Sequence, residues 1–94
     1  MDVRWSPAAA DDLQQIVNYL RQENPAAAER IGHSIFEAAG SLNNFPERGR
    51  EGRVEGTREL VLTSLPFIIV YRVAIDVVEI IDVIHGAQRW PPEK

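Results

Sequence analysis

Apolar positions recur with a helical period through the first half of the chain and with the shorter period of strands through the second. Ala9, Leu13, Ile16, Val17 and Leu20 fall at spacings of four, three, one and three, which puts them on one helical face. Ser6-Pro7 opens that helix. A serine oxygen can accept from a backbone N–H that lacks an intrahelical partner, and proline suits the first helical position. Asp11 and Asp12 lie near the start, where the positive end of the helix dipole favours acids. The helix is expected to end near Gln22 to Asn24, and Asn24-Pro25 repeats the opening signal. The second helix carries Ala28, Ile31, Ile35, Ala38 and Leu42 on one stripe and should stop near Asn43-Asn44. A connection of about three residues makes the pair an antiparallel hairpin.

Residues 2–5, with Val3 and Trp5, read as a first strand. After Phe45-Pro46, the stretch from Glu47 to Gly56 sets Gly49, Gly52 and Gly56 among charges and reads as an exposed loop or a frayed strand. Three strand-like runs follow: Thr57 to Leu62, Pro66 to Val73 and Val77 to Ile84. The middle run holds Phe67, Ile68, Ile69, Val70 and Tyr71 and is apolar on both faces. Its opening proline is tolerable because a first strand residue can do without its N–H. Ala74-Ile75-Asp76 suits a hairpin turn. A helical hairpin followed by an antiparallel meander predicts an α+β fold, with the helices covering one face of a small sheet. Ile16, Leu20, Ile31, Ile35, Leu42, Phe67, Ile69 and Tyr71 are then the expected core. No repeat or linker divides residues 1–94, which suit a single domain.

Composition narrows the function. With 45% apolar and 26% charged residues, the chain has the make-up of an ordinary soluble globule. No apolar run approaches the ~20 residues needed to cross a bilayer. Met1-Asp2-Val3-Arg4-Trp5 lacks a basic-then-apolar signal region, so no membrane contact and a cytoplasmic location are expected. There is no cysteine, and the two histidines, His33 and His85, are too few for a structural metal; no cofactor is expected. A net charge of −4 argues against a general nucleic-acid coat. Up to residue 46, six acids face three arginines, whereas from Glu47 to Glu59 four arginines (Arg48, Arg50, Arg53 and Arg58) face four glutamates. Arginine is a planar anchor for phosphate or carboxylate, and equally a common member of surface ion pairs. The single lysine is Lys94.

Six short blocks in order carry a resemblance to a known family. They are Trp5-Ser6-Pro7 with Ala10 and Asp12-Leu13, Asn24-Pro25-Ala26-Ala27-Ala28, Pro46-Glu47-Arg48-Gly49-Arg50, Gly56-Thr57-Arg58-Glu59-Leu60, Ile69-Val70-Tyr71-Arg72, and Val83 to Pro91. From Val3 to Pro91 the chain resembles the ParE/RelE toxin superfamily, and within it the ParE branch, often called plasmid-stabilisation proteins. The resemblance implies a bacterial toxin of a type II toxin–antitoxin system, held inactive by a cognate ParD-like antitoxin that is partly disordered and wraps it. ParE-like members poison DNA gyrase; RelE-like members are ribosome-dependent endoribonucleases that cut messenger RNA.

The two activities ask for different residues. A metal-free nuclease needs a group to take the 2′-hydroxyl proton, a group to protonate the leaving oxygen, and cations for the phosphorane. His85, Arg89 and Arg58 are the candidates. RelE-like enzymes use several lysines or arginines with a terminal tyrosine, or a carboxylate–histidine set. Here the one lysine is at the end, and Tyr19 and Tyr71 fall inside apolar patterns. The favoured reading is therefore a gyrase inhibitor that acts by binding. Its target- or partner-binding residues would be Arg48, Arg50, Arg53, Arg58, Arg89 and Trp90. An mRNA endonuclease and a remnant that only binds antitoxin are the alternatives. Each residue also has a bland role. His85 could cap a strand end, Arg58 could make a cross-strand ion pair, and Arg89-Trp90 could pin the C-terminus. Trp5 is expected in the core and His33 in solvent. Glu79 and Asp82 alternate onto opposite faces of the last strand, where Arg72 could satisfy one of them.

Overall fold

Both helices begin where the Ser-Pro and Asn-Pro pairs place them. The computed structural model describes residues 1–92, so Lys94 lies outside the described residues. Its elements are β1 (Asp2–Trp5), α1 (Pro7–Glu23), α2 (Pro25–Gly40), a 3₁₀ turn at Ser41–Asn43, β2 (Arg50–Glu51), β3 (Arg58–Val61), β4 (Phe67–Val73) and β5 (Val77–His85). Ser6 Oγ accepts from the Ala9 N–H at 3.0 Å, and Asn24 Oδ1 from the Ala27 N–H at 3.1 Å. The link between the helices is shorter than expected. Asn24 alone ends α1, donating its N–H to the Leu20 carbonyl at 2.7 Å, and caps α2 with its side chain. The close approach of the helices requires Gly32, where a Cβ would lie 2.8 Å from Val17 Cγ2.

The sheet is mixed, with strand order β1-β5-β4-β3-β2. β1 runs parallel to β5, and every other pairing is antiparallel. β2, two residues long, is the frayed strand within the charged loop. The central strand β4 is buried on both sides, as its unbroken apolar run requires. Phe67, Ile69 and Tyr71 join Ile35, Leu42, Leu60, Val78 and Ile80 in the main core. Ile68 and Val70 join Ile84 in a second cluster, onto which Ile81 and Trp90 pack. Two α-helices on a five-stranded sheet realise the expected α+β architecture. No helix among the described residues is long and apolar enough to cross a membrane.

β1 stops opposite Ile80, leaving the next stretch of β5 without a strand neighbour on that side. The start of α1 substitutes for one. The Ser6 hydroxyl donates to the Ile81 carbonyl at 3.0 Å, and Asp12 Oδ2 accepts from the Val83 N–H at 3.0 Å. Asp12 thus serves a sheet edge; neither it nor Asp11 lies in the first turn of α1, so the dipole role does not apply.

The expected core is corrected at three positions. Ile35, Leu42, Ile69 and Tyr71 are fully buried and Phe67 nearly so, but Ile16, Leu20 and Ile31 are only half-buried. Leu20 lines an open groove, and Ile16 lines the same groove while packing against the edge of the main core. Trp5 is likewise half-buried, stacked on the exposed Phe36 with ring centroids 5.9 Å apart. Urea denaturation should therefore separate two substitutions. Ile35→Ala is expected to cost about 2–5 kcal/mol, and Leu20→Ala clearly less. Equal losses would contradict the burial just described.

Candidate functional site

The arginine-rich loop is held by one buried phenol. The Tyr71 hydroxyl donates to the Pro46 carbonyl at 2.7 Å and accepts from the Gly49 N–H at 2.8 Å. A Cβ at Gly49 would lie 2.7 Å from that oxygen, so the loop can close on the tyrosine only with glycine there. Burial pushes the Tyr71 phenol above its ordinary pKa, against the opposing pull of the Gly49 N–H and of Arg58 and Arg48. Arg58 Nη1 donates to the Gly49 carbonyl at 3.1 Å, holding the other backbone group of the same glycine.

Beside it, the Glu59 side chain is fully buried between two arginines. Its Oε1 lies 2.9 Å from Arg50 Nη2 and 3.4 Å from Arg53 Nε, while Oε2 accepts from the Arg53 N–H at 2.9 Å. Burial alone would raise the Glu59 pKa. The Arg53 N–H, the Arg50 guanidinium and both positive charges outweigh it and hold the carboxyl below the ordinary range. Arg48 donates to Ser41 Oγ at 2.8 Å. All four loop arginines thus have internal partners, yet the Arg50 and Arg53 side chains remain 57% and 41% exposed. The result is a fixed rim of arginines set among glutamates, not a set of free side chains.

The histidine and Arg58 are not brought together. His85 pairs with Phe67 at one end of β4 and Arg58 with Tyr71 toward the other, four positions or about 13 Å along the strand. His85 is exposed and stands edge-on to Phe67, with centroids 5.8 Å apart. Its Nδ1 accepts from the Ala87 N–H at 3.1 Å, which leaves the neutral ring's proton on Nε2, a donor. Trp90 packs against the Ile68, Val70 and Ile84 cluster, with its indole N–H buried and unpartnered. Arg89 beside it is exposed.

Two features went unassigned in the sequence. The first is an open apolar groove of about 330 Å³ between α1 and the β4–β5 end, lined by Gln15, Ile16, Tyr19, Leu20, Pro66, Phe67 and His85. Tyr19, 65% exposed, forms its lip. The available signal was a tyrosine beside the α1 stripe. The second is a pair of carboxyls. Arg72 lies opposite Glu79, whereas Asp82 is hydrogen-bonded to Asp12. Burial first, then that hydrogen bond and the Asp12 charge, push Asp82 up to about 7. A register shift between Val70 and Tyr71 breaks the simple alternation expected for Glu79 and Asp82. Among the described residues, no group of three His, Asp or Glu side chains is placed to hold a metal ion.

Residues 3–90 match the family model described as the ParE toxin of type II toxin–antitoxin system, parDE. The candidate toxin Y4kP of Sinorhizobium fredii is 43% identical over 89 residues, 95% of this chain and 92% of that protein. Toxin RelE2 of Caulobacter vibrioides is 40% identical over 86 residues, 92% and 96% of the two chains. A solved chain of the chromosomal ParDE toxin–antitoxin system of P. aeruginosa superposes with a TM-score of 0.85 at 27% identity, covering 90% of this chain and 95% of that one.

Two substitutions test the loop's anchoring. Tyr71→Phe strands the Gly49 N–H and the Pro46 carbonyl and is expected to cost about 1–3 kcal/mol by urea denaturation; a neutral result would remove the phenol from its role. Glu59→Gln loses the charge. Because the folded carboxyl titrates below its ordinary value of 4.5, its contribution is complete above that pH and disappears as pH falls through the lower folded value. The stability gap between wild type and Glu59→Gln should be widest near neutrality and close in acid. A gap independent of pH would mean that the charge does not matter.

Proposed function

Because this chain belongs to the ParE toxins of type II toxin–antitoxin systems, we propose that it acts in the cytoplasm by binding and inhibiting DNA gyrase, and that a ParD-like antitoxin silences it. The observation that carries the gyrase reading is the separation of the chemical groups. His85 and Arg58 lie at opposite ends of β4, and the acceptor nitrogen of His85 is taken by the Ala87 N–H. A general base must accept a proton where the 2′-hydroxyl sits, and this arrangement offers a donor there instead. Inhibition by binding needs only a shaped, charged surface. The rim of Arg48, Arg50, Arg53 and Arg58 supplies one, held in place by Tyr71 and Glu59. Arg89, exposed at the other end of the sheet, is a second candidate contact.

The antitoxin has a separate place to bind. An amphipathic segment could set an apolar side chain into the groove beneath Tyr19 and Leu20 while its polar face stays in water. The name of the Caulobacter relative, Toxin RelE2, favours a second reading, a ribosome-dependent mRNA endonuclease using His85, Arg58 and Arg89.

The test runs the purified chain against gyrase supercoiling and, separately, against messenger RNA on translating ribosomes. Truncation after Gly86 is a poor tool, since it also strips Trp90 from the second core cluster. Arg48→Ala combined with Arg89→Ala leaves both clusters intact. Supercoiling should be inhibited by wild type and by His85→Ala, and much less by the double arginine variant. Ribosome-dependent cuts that vanish in His85→Ala, with supercoiling untouched, would replace this reading by the nuclease. Silence in both assays would leave a remnant that only binds antitoxin.

A further inference from the structure

Resting on the gyrase reading above, we propose that the helix-free face of the sheet meets the target protein, and that Arg4 and Arg72 are its contacts, each receiving a carboxylate of that protein. Strand register divides the sheet into two faces. Phe67, Ile69 and Tyr71 belong to the core shared with the helix residues Ala9, Ile35 and Ala39, whereas Ile68, Val70 and Ile84 form a cluster that contains no helix residue. Side chains alternate along β4, so Arg72 falls on the side of Ile68 and Val70. The ladder carries that side across the sheet: Glu79 lies opposite Arg72 in β4 and opposite Arg4 in β1. Val3 and Trp5 pack against the helix-side core, which leaves Arg4 on the helix-free side as well.

Arg4, Glu79 and Arg72 thus form one row across three strands, with the two arginines about 10 Å apart at two strand spacings. A carboxylate set between two guanidiniums in this way ordinarily pairs with one of them. Here neither ion pair forms. Among the described residues the Arg4 and Arg72 side chains make no hydrogen bond or salt bridge, and both residues are exposed. The neighbouring row is the contrast: Arg50 lies opposite Glu59 and Glu59 opposite Val70, and there the carboxylate is buried and holds both Arg50 and Arg53. Arg48 and Arg58 are engaged near Tyr71 on the helix side, at Ser41 and at the Gly49 carbonyl. Arg4 and Arg72 keep every guanidinium donor for an outside acceptor. Their row holds two positive charges against one negative, which suits an added carboxylate, and the planar fork of arginine grips a carboxylate by two bonds. Asp2, on the same side of β1, and Asp82, opposite Val70, repel the continuous charge of a phosphate backbone. Val61, 49% exposed, and Trp90, half-buried over Ile68, Val70 and Ile84, add the apolar and aromatic surface that protein interfaces carry beside arginine.

Gyrase supercoiling with the whole chain tests this, using substitutions to glutamine, which keep a polar stem and remove the charge. Arg4→Gln and Arg72→Gln should each weaken inhibition, and the double variant should weaken it by about tenfold or more. Urea midpoints should stay at the wild-type value, because neither side chain has an internal partner to lose. Arg30→Gln removes an exposed arginine from α2, on the helix side, and should inhibit like wild type. Arg72→Lys keeps the charge without the fork and should recover only part of the loss. Wild-type inhibition matched by the double variant would overturn the proposal and leave the gyrase reading standing. A wild-type chain that inhibits no supercoiling would overturn the gyrase reading itself, and these contacts with it. An equal loss in Arg30→Gln would reduce the effect to overall charge, and lost potency that tracks a lowered urea midpoint would make the arginines structural; either result also overturns the proposal.

Discussion

Everything on the charged side of the molecule depends on one buried hydroxyl. A phenol removed from water is costly unless its oxygen both donates and accepts, and Tyr71 finds both partners in a single loop, at Pro46 and Gly49. This pair of bonds ties the segment after the helical hairpin to the central strand of the sheet. Once the loop is tied, Gly49 must remain glycine, Arg58 can reach its carbonyl, and Arg50 and Arg53 arrive on either side of Glu59. Glutamate can be buried there only because the arginines come with it, and the arginines stay in place only because it is buried. The placing of these arginines is a consequence of a packing requirement.

Much of the fold was legible because its signals are local. Ser6-Pro7 and Asn24-Pro25 start helices for reasons that involve four residues each, and the doubly apolar run of Phe67 to Tyr71 can only be an interior strand. What escaped is non-local. No periodicity says that β1 pairs with β5, or that it does so in parallel. The shift between Val70 and Tyr71 leaves no mark in the alternation of Val77 to Ile84, yet it decides what Asp82 meets. Leu20 has the spacing of a core residue but lines an open groove, whereas Ile16 lines that groove and also packs against the core.

The candidate site divides in the same way. Arg48, Arg50, Arg53 and Arg58 stood out by density, which sequence displays directly. Their partners depend on strand register and on a loop that doubles back to Tyr71, which sequence does not display. His85 and Arg58 looked like possible co-workers until the ladder put them at separate ends of β4. Trp90, a candidate anchor in the sequence, packs against Ile68, Val70 and Ile84.

The pairing of β1 with β5 also sets an order of events. Chains are made from the N-terminus, so β1 comes first and its only strand neighbour comes last of the five. Ser6 and Ile81, bonded in the finished protein, are 75 positions apart. Closing so long a loop costs entropy before it returns any contact, whereas the helical hairpin and the β3–β4–β5 meander are assembled from near neighbours. β1 must therefore wait for its strand partner, with Val3 uncovered, until the chain has been extended past Ile80. During that interval the growing polypeptide has its paired helices but no complete sheet beneath them.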